Sequence, residues 1–212
     1  MYSIIFDIDG TLWDSTDVVA ESWNKAIKAE TGIDAGLDAA KLKGLFGKTM
    51  DEIGLAMLPT LDAAERRRVC FKCYDYEDEY LKDHPGKFYD GVKETLLKLI
   101  ENHDIYVVSN CQVGYIELTL KHLGLLDRVK DHLCYGDNEL PKGENIKLIV
   151  ERNKIAHPIY VGDIQGDYEA CRIAGVPMIY ASYGFGEVKQ PEYTIDDIKE
   201  LPALIEKLDA EL

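Results

Sequence analysis

Basic residues are in deficit. The 212 residues hold 24 Lys and Arg against 39 Asp and Glu, a formal charge of −15. So acidic a surface repels phosphate backbones and anionic headgroups, which argues against nucleic acid and membrane surfaces as partners. Also missing is any uncharged apolar run near the roughly 18 residues of a membrane span. The first ten residues carry Asp7 and Asp9 where a secretory leader would be basic, so a cytoplasmic chain is expected. Internal repeats and low-complexity segments are lacking too.

Cysteine is sparse and odd in number. Cys70, Cys73, Cys111, Cys134 and Cys171 are scattered over a chain too long to need staples, so free thiols are expected. Cys70 and Cys73 form a C-x-x-C, but no second pair or flanking His completes a zinc site, and the surrounding pattern is helical, which favours packing. The five histidines, His84, His103, His122, His132 and His157, are expected on loops or helix ends and share no metal spacing. Gly47-Lys48-Thr49 looks like the end of a P-loop, but Leu42 stands where that motif needs glycine, and helical patterns flank it.

What is present is ordinary globular composition, 46% hydrophobic and 30% charged, in a length of about 1.4 average domains. One core with a sizeable insertion fits better than two equal halves. Short apolar runs at Tyr2–Phe6, Ile105–Ser109, His132–Tyr135, Pro158–Val161 and Pro177–Ala181 are too short for helices and too continuous for one-faced strands. They suit a parallel sheet covered on both faces. Helical patterns separate the later ones, at Gly91–Asn102, Val113–Leu123, Glu144–Asn153 and Gly166–Ala174, and a final one spans Asp196–Leu208. This alternation predicts a doubly wound α/β sheet. Between the first two strands only helices are expected, at Thr16–Glu30, Asp38–Leu45, Thr49–Leu58 and Asp62–Lys82. The predicted organisation is therefore a core of residues 1–13 and 86–212 with an all-helical insertion over 14–85.

Asp7 and Asp9 close the first strand in IIFDIDGTL. Residues i and i+2 of a strand share a face, so both carboxylates emerge together at its carboxyl end, where open α/β sheets bind ligands. Gly10 lets the chain turn away. A second acidic pair, Asp163 and Asp167, flanks a glycine-containing turn after the strand PIYVG. Four carboxylates in one cleft cannot all stay ionised in a dry site unless a cation joins them. All-oxygen ligation without clustered His or Cys favours Mg2+. Such an ion is also what an acidic chain needs to accept an anionic substrate. Ser109 and Asn110, placed by the pattern at a helix start, offer a phosphate cradle. Lys142, in the loop after the third strand, lies on the same rim.

In order and context, DIDGT at Asp7–Thr11, Ser109, Lys142 and GDIQGD at Gly162–Asp167 resemble the four motifs of the haloacid dehalogenase-like hydrolase superfamily, and the chain resembles its phosphoglycolate phosphatase-like members over nearly its whole length. The resemblance implies a Rossmann-like core with a helical cap inserted after the first motif. Ile164 departs from the small polar residue of many relatives. The resemblance further implies that Asp7 attacks phosphorus to form an aspartyl-phosphate and that Asp9 is acid and then base. Mg2+ would sit on Asp7, the Asp9 carbonyl, Asp163 and Asp167, while Lys142 and Ser109 steady the phosphoryl oxygens, with Thr11 and Asn110 among the substrate contacts. Phe46 and Lys48, in the cap turn Gly44–Thr49, are the candidates for specificity. Dehalogenases of the superfamily lack an acid two residues after the nucleophile, so Asp9 points to phosphorus.

The expected activity is Mg2+-dependent hydrolysis of a small phosphorylated metabolite by a monomer or small homo-oligomer. A sugar phosphomutase resembling β-phosphoglucomutase or a pyrophosphatase is the alternative with the same chemistry, and a non-catalytic phosphate-binding protein is the alternative of a different class.

Overall fold

A computed structural model describes residues 1–48 and 50–212. Thr49, where the helix Thr49–Leu58 was expected to start and the cap turn to end, lies outside the described residues. Two compact units divide the chain, one of Met1–Trp13 with Phe88–Leu212 and one of Asp14–Lys87.

In chain order, β1 (Ser3–Phe6) and a two-residue strand, β2 (Trp13–Asp14), precede four helices, α1 (Thr16–Thr31), α2 (Ala39–Lys43), α3 (Met50–Met57) and α4 (Ala63–Leu81). The chain returns through β3 (Lys87–Phe88), α5 (Val92–Ile100), β4 (Ile105–Ser109), α6 (Tyr115–Leu123), β5 (Asp131–Cys134) and the single-turn α7 (Tyr135–Asn138). It closes with α8 (Lys142–Asn153), β6 (Pro158–Gly162), α9 (Gln165–Ala174), β7 (Met178–Ala181), β8 (Tyr193–Ile195) and α10 (Leu201–Asp209).

The larger unit is an α/β, Rossmann-like layer structure on a six-stranded sheet in the order β5-β4-β1-β6-β7-β8, parallel throughout. Sheet residues on both faces are buried, as an all-parallel sheet requires. Ile5, Tyr106, Val108, Tyr160 and Met178 meet Ile146 and Ile149 of α8 and Ala170 and Cys171 of α9. Ile4, Phe6, Val107, Ile159, Val161 and Ile179 alternate with them and are buried on the opposite face. From β1 the chain proceeds to β4 and β5 on one side, and from β6 to β7 and β8 on the other. The order therefore reverses between β1 and β6, and the crevice at their carboxyl ends is where such sheets bind ligands.

Three details depart from the sequence pattern. Strand β8 escapes it because three residues after Pro191 carry no period. α10 begins at Leu201, after Asp197 caps a separate 3-10 turn by accepting the Lys199 N–H at 2.9 Å. His132 lies within β5 and not on a loop.

The smaller unit is helical, with α1 packed along α4. The buried stripe of α1, Val19, Ala20, Trp23, Ala26 and Ile27, has helical period. On α4, Val69, Cys70, Cys73, Glu77 and Leu81 are buried, and the Trp23 indole donates to Glu77 Oε2 at 2.5 Å. Burial pushes the Cys70 thiol up to about 11 and that of Cys73 higher, which disfavours the thiolate at both. All five cysteines are free.

Candidate active site

Register places Phe6 opposite Val161 on one side and Val107 on the other, so Asp7, Asp163 and Ser109 follow from neighbouring strand ends. The Asp7 N–H continues the ladder to the Val161 carbonyl at 2.9 Å, which fixes the backbone from which its carboxylate projects.

Asp7, Lys142, Asp163 and Asp167 are each at most 5% exposed. Lys142 Nζ donates to Asp7 Oδ2 at 2.9 Å and to Asp167 Oδ1 at 2.5 Å, and stands 5.9 Å from the centre of the Tyr160 ring. Lys142 is the first residue of α8, not a loop residue as the sequence suggested; Pro141, set just before it, starts the helix. Asp167 is the third residue of α9, and its Oδ2 reaches back to the N–H groups of Asp163 (3.0 Å) and Ile164 (3.2 Å), which lack partners at a helix start. One carboxylate thus anchors both the turn after β6 and the lysine.

Asp163 is held from two sides. Its Oδ1 accepts the Thr11 hydroxyl at 3.3 Å and its Oδ2 the Phe185 N–H at 2.7 Å. Two glycines make room for it. A Cβ on Gly10, whose φ is +81°, would lie 2.0 Å from Asp163 Oδ2, and one on Gly184 would lie 2.3 Å from its Cβ. Neither position tolerates a side chain while Asp163 points inward.

Three buried carboxylates against one ammonium leave a formal charge of −2 in a dry pocket. Burial raises the Asp7 carboxyl to about 6, with the Lys142 charge pulling down and the Asp167 charge pushing up. Asp163 is raised as well, by burial and by the charges of Asp167 and Asp7. Burial would lower Lys142, but Asp167 and Asp7 outweigh it and hold the ammonium charged. The cluster is starved of positive charge.

A cation would relieve it. Asp7, Asp163 and Asp167 each offer an oxygen within 4.8 Å of the others', and Asp7 Oδ1 is buried with no hydrogen-bond partner among the described residues. An orphaned buried carboxylate oxygen is costly unless something binds it. The donors are all oxygen, so the residues fit a hard divalent ion.

The family follows from this frame and from the sequence. The profile of the haloacid dehalogenase-like hydrolases matches residues 4–181. The chain belongs to that family. A phosphoglycolate phosphatase of Agrobacterium fabrum is 28% identical over 228 residues, covering 96% of this chain and 92% of that one. One from Rhodobacter capsulatus is 25% identical over 190 residues, covering 86% and 85%. A haloacid dehalogenase-like hydrolase of Streptococcus pneumoniae shares the fold, with a TM-score of 0.82 at 20% identity over 96% of this chain and 97% of that one. The chain is thus a haloacid dehalogenase-like hydrolase, similar over most of its length to phosphoglycolate phosphatases.

Among the other residues singled out by the sequence, Ser109 is buried at the end of β4, beside β1, and Asn110 follows it half-buried. No helix starts there. α6 begins at Tyr115, after a turn, so the cradle expected from a helix start is not formed by Asn110. Phe46 and Lys48 belong to the helical unit, where Phe46 is half-buried with its ring 6.3 Å from that of Trp23 and Lys48 is exposed. Asp9 is half-buried, and its Oδ1 accepts the Tyr115 hydroxyl at 2.8 Å and the Trp13 indole N–H at 3.1 Å. Sequence reasoning missed Trp13, Tyr115 and the Phe185 N–H. The glycines of Tyr183-Gly-Phe-Gly186 are a signal for a close backbone approach, whereas nothing in the sequence pattern separates Trp13 and Tyr115 from core aromatics.

Proposed function

We propose that the chain is a Mg2+-dependent phosphatase that hydrolyses a small phosphate monoester through an aspartyl-phosphate on Asp7. The observation that carries this reading is the buried, unpartnered Asp7 Oδ1 within a cluster of three carboxylates and one lysine at the sheet's switch point. Asp7, Asp163, Asp167 and the Asp9 backbone carbonyl would hold the ion, which when bound offsets the negative charge of carboxylate and phosphate as they meet.

The chain's own groups do the rest. The Asp7 carboxylate attacks phosphorus, forming an O–P bond while the ester O–P bond breaks in line. Asp9 gives its proton to the leaving oxygen, then as a carboxylate takes one from the water that attacks the phosphorus on Asp7. Inorganic phosphate leaves and the Asp7 carboxylate is restored. Lys142 keeps Asp7 turned and ionised and, with Ser109, receives phosphoryl oxygens, while the Thr11 hydroxyl steadies Asp163. Residues 14–85 act as a cap, with Phe46 and Lys48 selecting the leaving group. The setting is the cytoplasm, which suits a phosphorylated metabolite as substrate and a monomer or small homo-oligomer as the working form.

The test is phosphate release over a panel of phosphorylated metabolites, including 2-phosphoglycolate, sugar phosphates, pyrophosphate and an aryl phosphate, with Mg2+ and with EDTA. Release that needs Mg2+ and is abolished by EDTA is expected. Transfer between sugar phosphates without net release would assign a phosphomutase, and no turnover of any compound would overturn the enzymatic reading.

A further inference from the structure

Asp9 is gripped in a way the reaction scheme does not use. Two donors converge on one of its oxygens: the Trp13 indole N–H at 3.1 Å and the Tyr115 hydroxyl at 2.8 Å both end on Oδ1. An indole N–H can only donate. A carboxyl oxygen has two lone pairs, and two incoming donors use both, so no proton can sit on Oδ1 while the grip holds.

The donors are themselves buried and packed. Trp13 is fully buried and Tyr115 is 1% exposed. Their rings meet edge to face at 5.7 Å, and Trp13 also lies 5.3 Å from Phe88. Trp13 belongs to the same turn as Asp9: its carbonyl accepts the Gly10 N–H at 2.9 Å, and the backbones of Asp9 and Trp13 form a bridge. Tyr115 arrives from the first residue of α6, so the grip joins the loop after β1 to the helix after β4. A buried tyrosine and tryptophan need partners for their polar atoms and commonly take backbone carbonyls. Here both are spent on one oxygen of one ionisable side chain, and bonds to an ionised acceptor are the stronger kind.

We propose that Trp13 and Tyr115 are positioning residues that clamp the Asp9 carboxyl through Oδ1 and so assign its transferable proton to Oδ2. This rests on the reading of Asp9 as the acid that protonates the leaving group. The clamp fixes the direction from which the proton is delivered and, after the leaving group has departed, the oxygen that receives the proton of water. A freely turning carboxyl would present either oxygen in turn, and a proton on the wrong one contributes nothing to bond cleavage. The clamp therefore matters most for esters whose leaving oxygen cannot depart without a proton.

Leaving-group dependence tests this. kcat/KM is measured with Mg2+ on dinitrophenyl phosphate, whose leaving group departs unaided, and on phenyl phosphate, whose leaving group needs the acid. The full chain is compared with Tyr115→Phe, Trp13→Phe and Asp9→Asn, folding of each being checked by circular dichroism. Asp9→Asn is expected to lose activity far more on phenyl phosphate. Tyr115→Phe, which deletes one hydroxyl and keeps the ring, is expected to lose about tenfold more on phenyl than on dinitrophenyl phosphate, a fraction of the hundredfold or more that general acid catalysis supplies. Trp13→Phe should follow it if it folds, and Tyr115→Phe alone is sufficient for the test. A Tyr115→Phe enzyme whose losses on the two esters are equal, beside a discriminating Asp9→Asn, overturns the clamp and leaves the acid in place. Equal losses in Asp9→Asn overturn the acid reading and the clamp with it, and the absence of wild-type turnover on both esters overturns the reading of the site.

Discussion

Lys142 is the residue on which the cluster turns. Among the described residues it is the one ammonium bonded to these three buried carboxylates, and it reaches two of them. Removing one partner of a buried ion pair leaves uncompensated charge and costs about 3–5 kcal/mol. Lys142→Met is therefore expected to lower unfolding free energy by about that much in urea at neutral pH and to lose phosphatase activity. Urea curves that superpose on wild type would show that the carboxylates do not depend on the lysine. Sequence order put Lys142 on the right rim but in a loop, because Pro141-Lys-Gly carries two helix breakers; the structure shows that proline before a helix starts it. The oxygen of Asp7 left without a partner was not legible at all, since it follows from which neighbours reach in from residues 142 and 167.

At the scale of elements, the site is built by the turns that follow β1 and β6, and their shape depends on Gly10 and Gly184. Gly10→Ala places a methyl where Asp163 Oδ2 lies, on a backbone with positive φ. It is expected to destabilise by about 1–3 kcal/mol, the usual cost of a strained residue, and to cut turnover with Mg2+ by more than tenfold. Retained activity would mean that Asp163 need not point inward. Five of the six strands of the sheet were legible because each is a short, largely apolar run, and β8 was not. Less of α6 and α10 was, since turns at their starts, at Gln112–Gly114 and Ile198–Glu200, hold apolar residues that continue the helical period without belonging to the helix. The two aromatic donors to Asp9 could not be separated by pattern from core residues, because they are core residues as well.

For the whole molecule the consequence concerns pH. Asp7 is raised to about 6 from an ordinary 3.8, and Asp163 is raised too, in the metal-free fold. A carboxyl raised on folding contributes stability that is complete below its unfolded pKa and lost as pH rises through the folded value. The metal-free protein therefore loses stability from Asp7 between about pH 4 and 6, Asp163 acts in the same direction, and a divalent cation replaces the proton that leaves. The increase in Tm on adding Mg2+ is expected to be small near pH 5 and larger near pH 7.5, read by calorimetry. An increase that is equal at both values would place the ion elsewhere. No helix among the described residues is long and apolar enough to cross a membrane.

The account rests on Asp7 as the atom donor to phosphorus, and the most direct measurement is the turnover of the best phosphate ester by Asp7→Asn with saturating Mg2+. The amide keeps the size of the side chain and its contact with Lys142 but cannot attack. A fall in kcat of at least about a thousandfold, in a protein whose metal-free Tm stays at or above that of metal-free wild type because one buried charge is gone, is the expected result. A variant that retains turnover within about tenfold of wild type would contradict the assignment of Asp7 and the mechanism built on it.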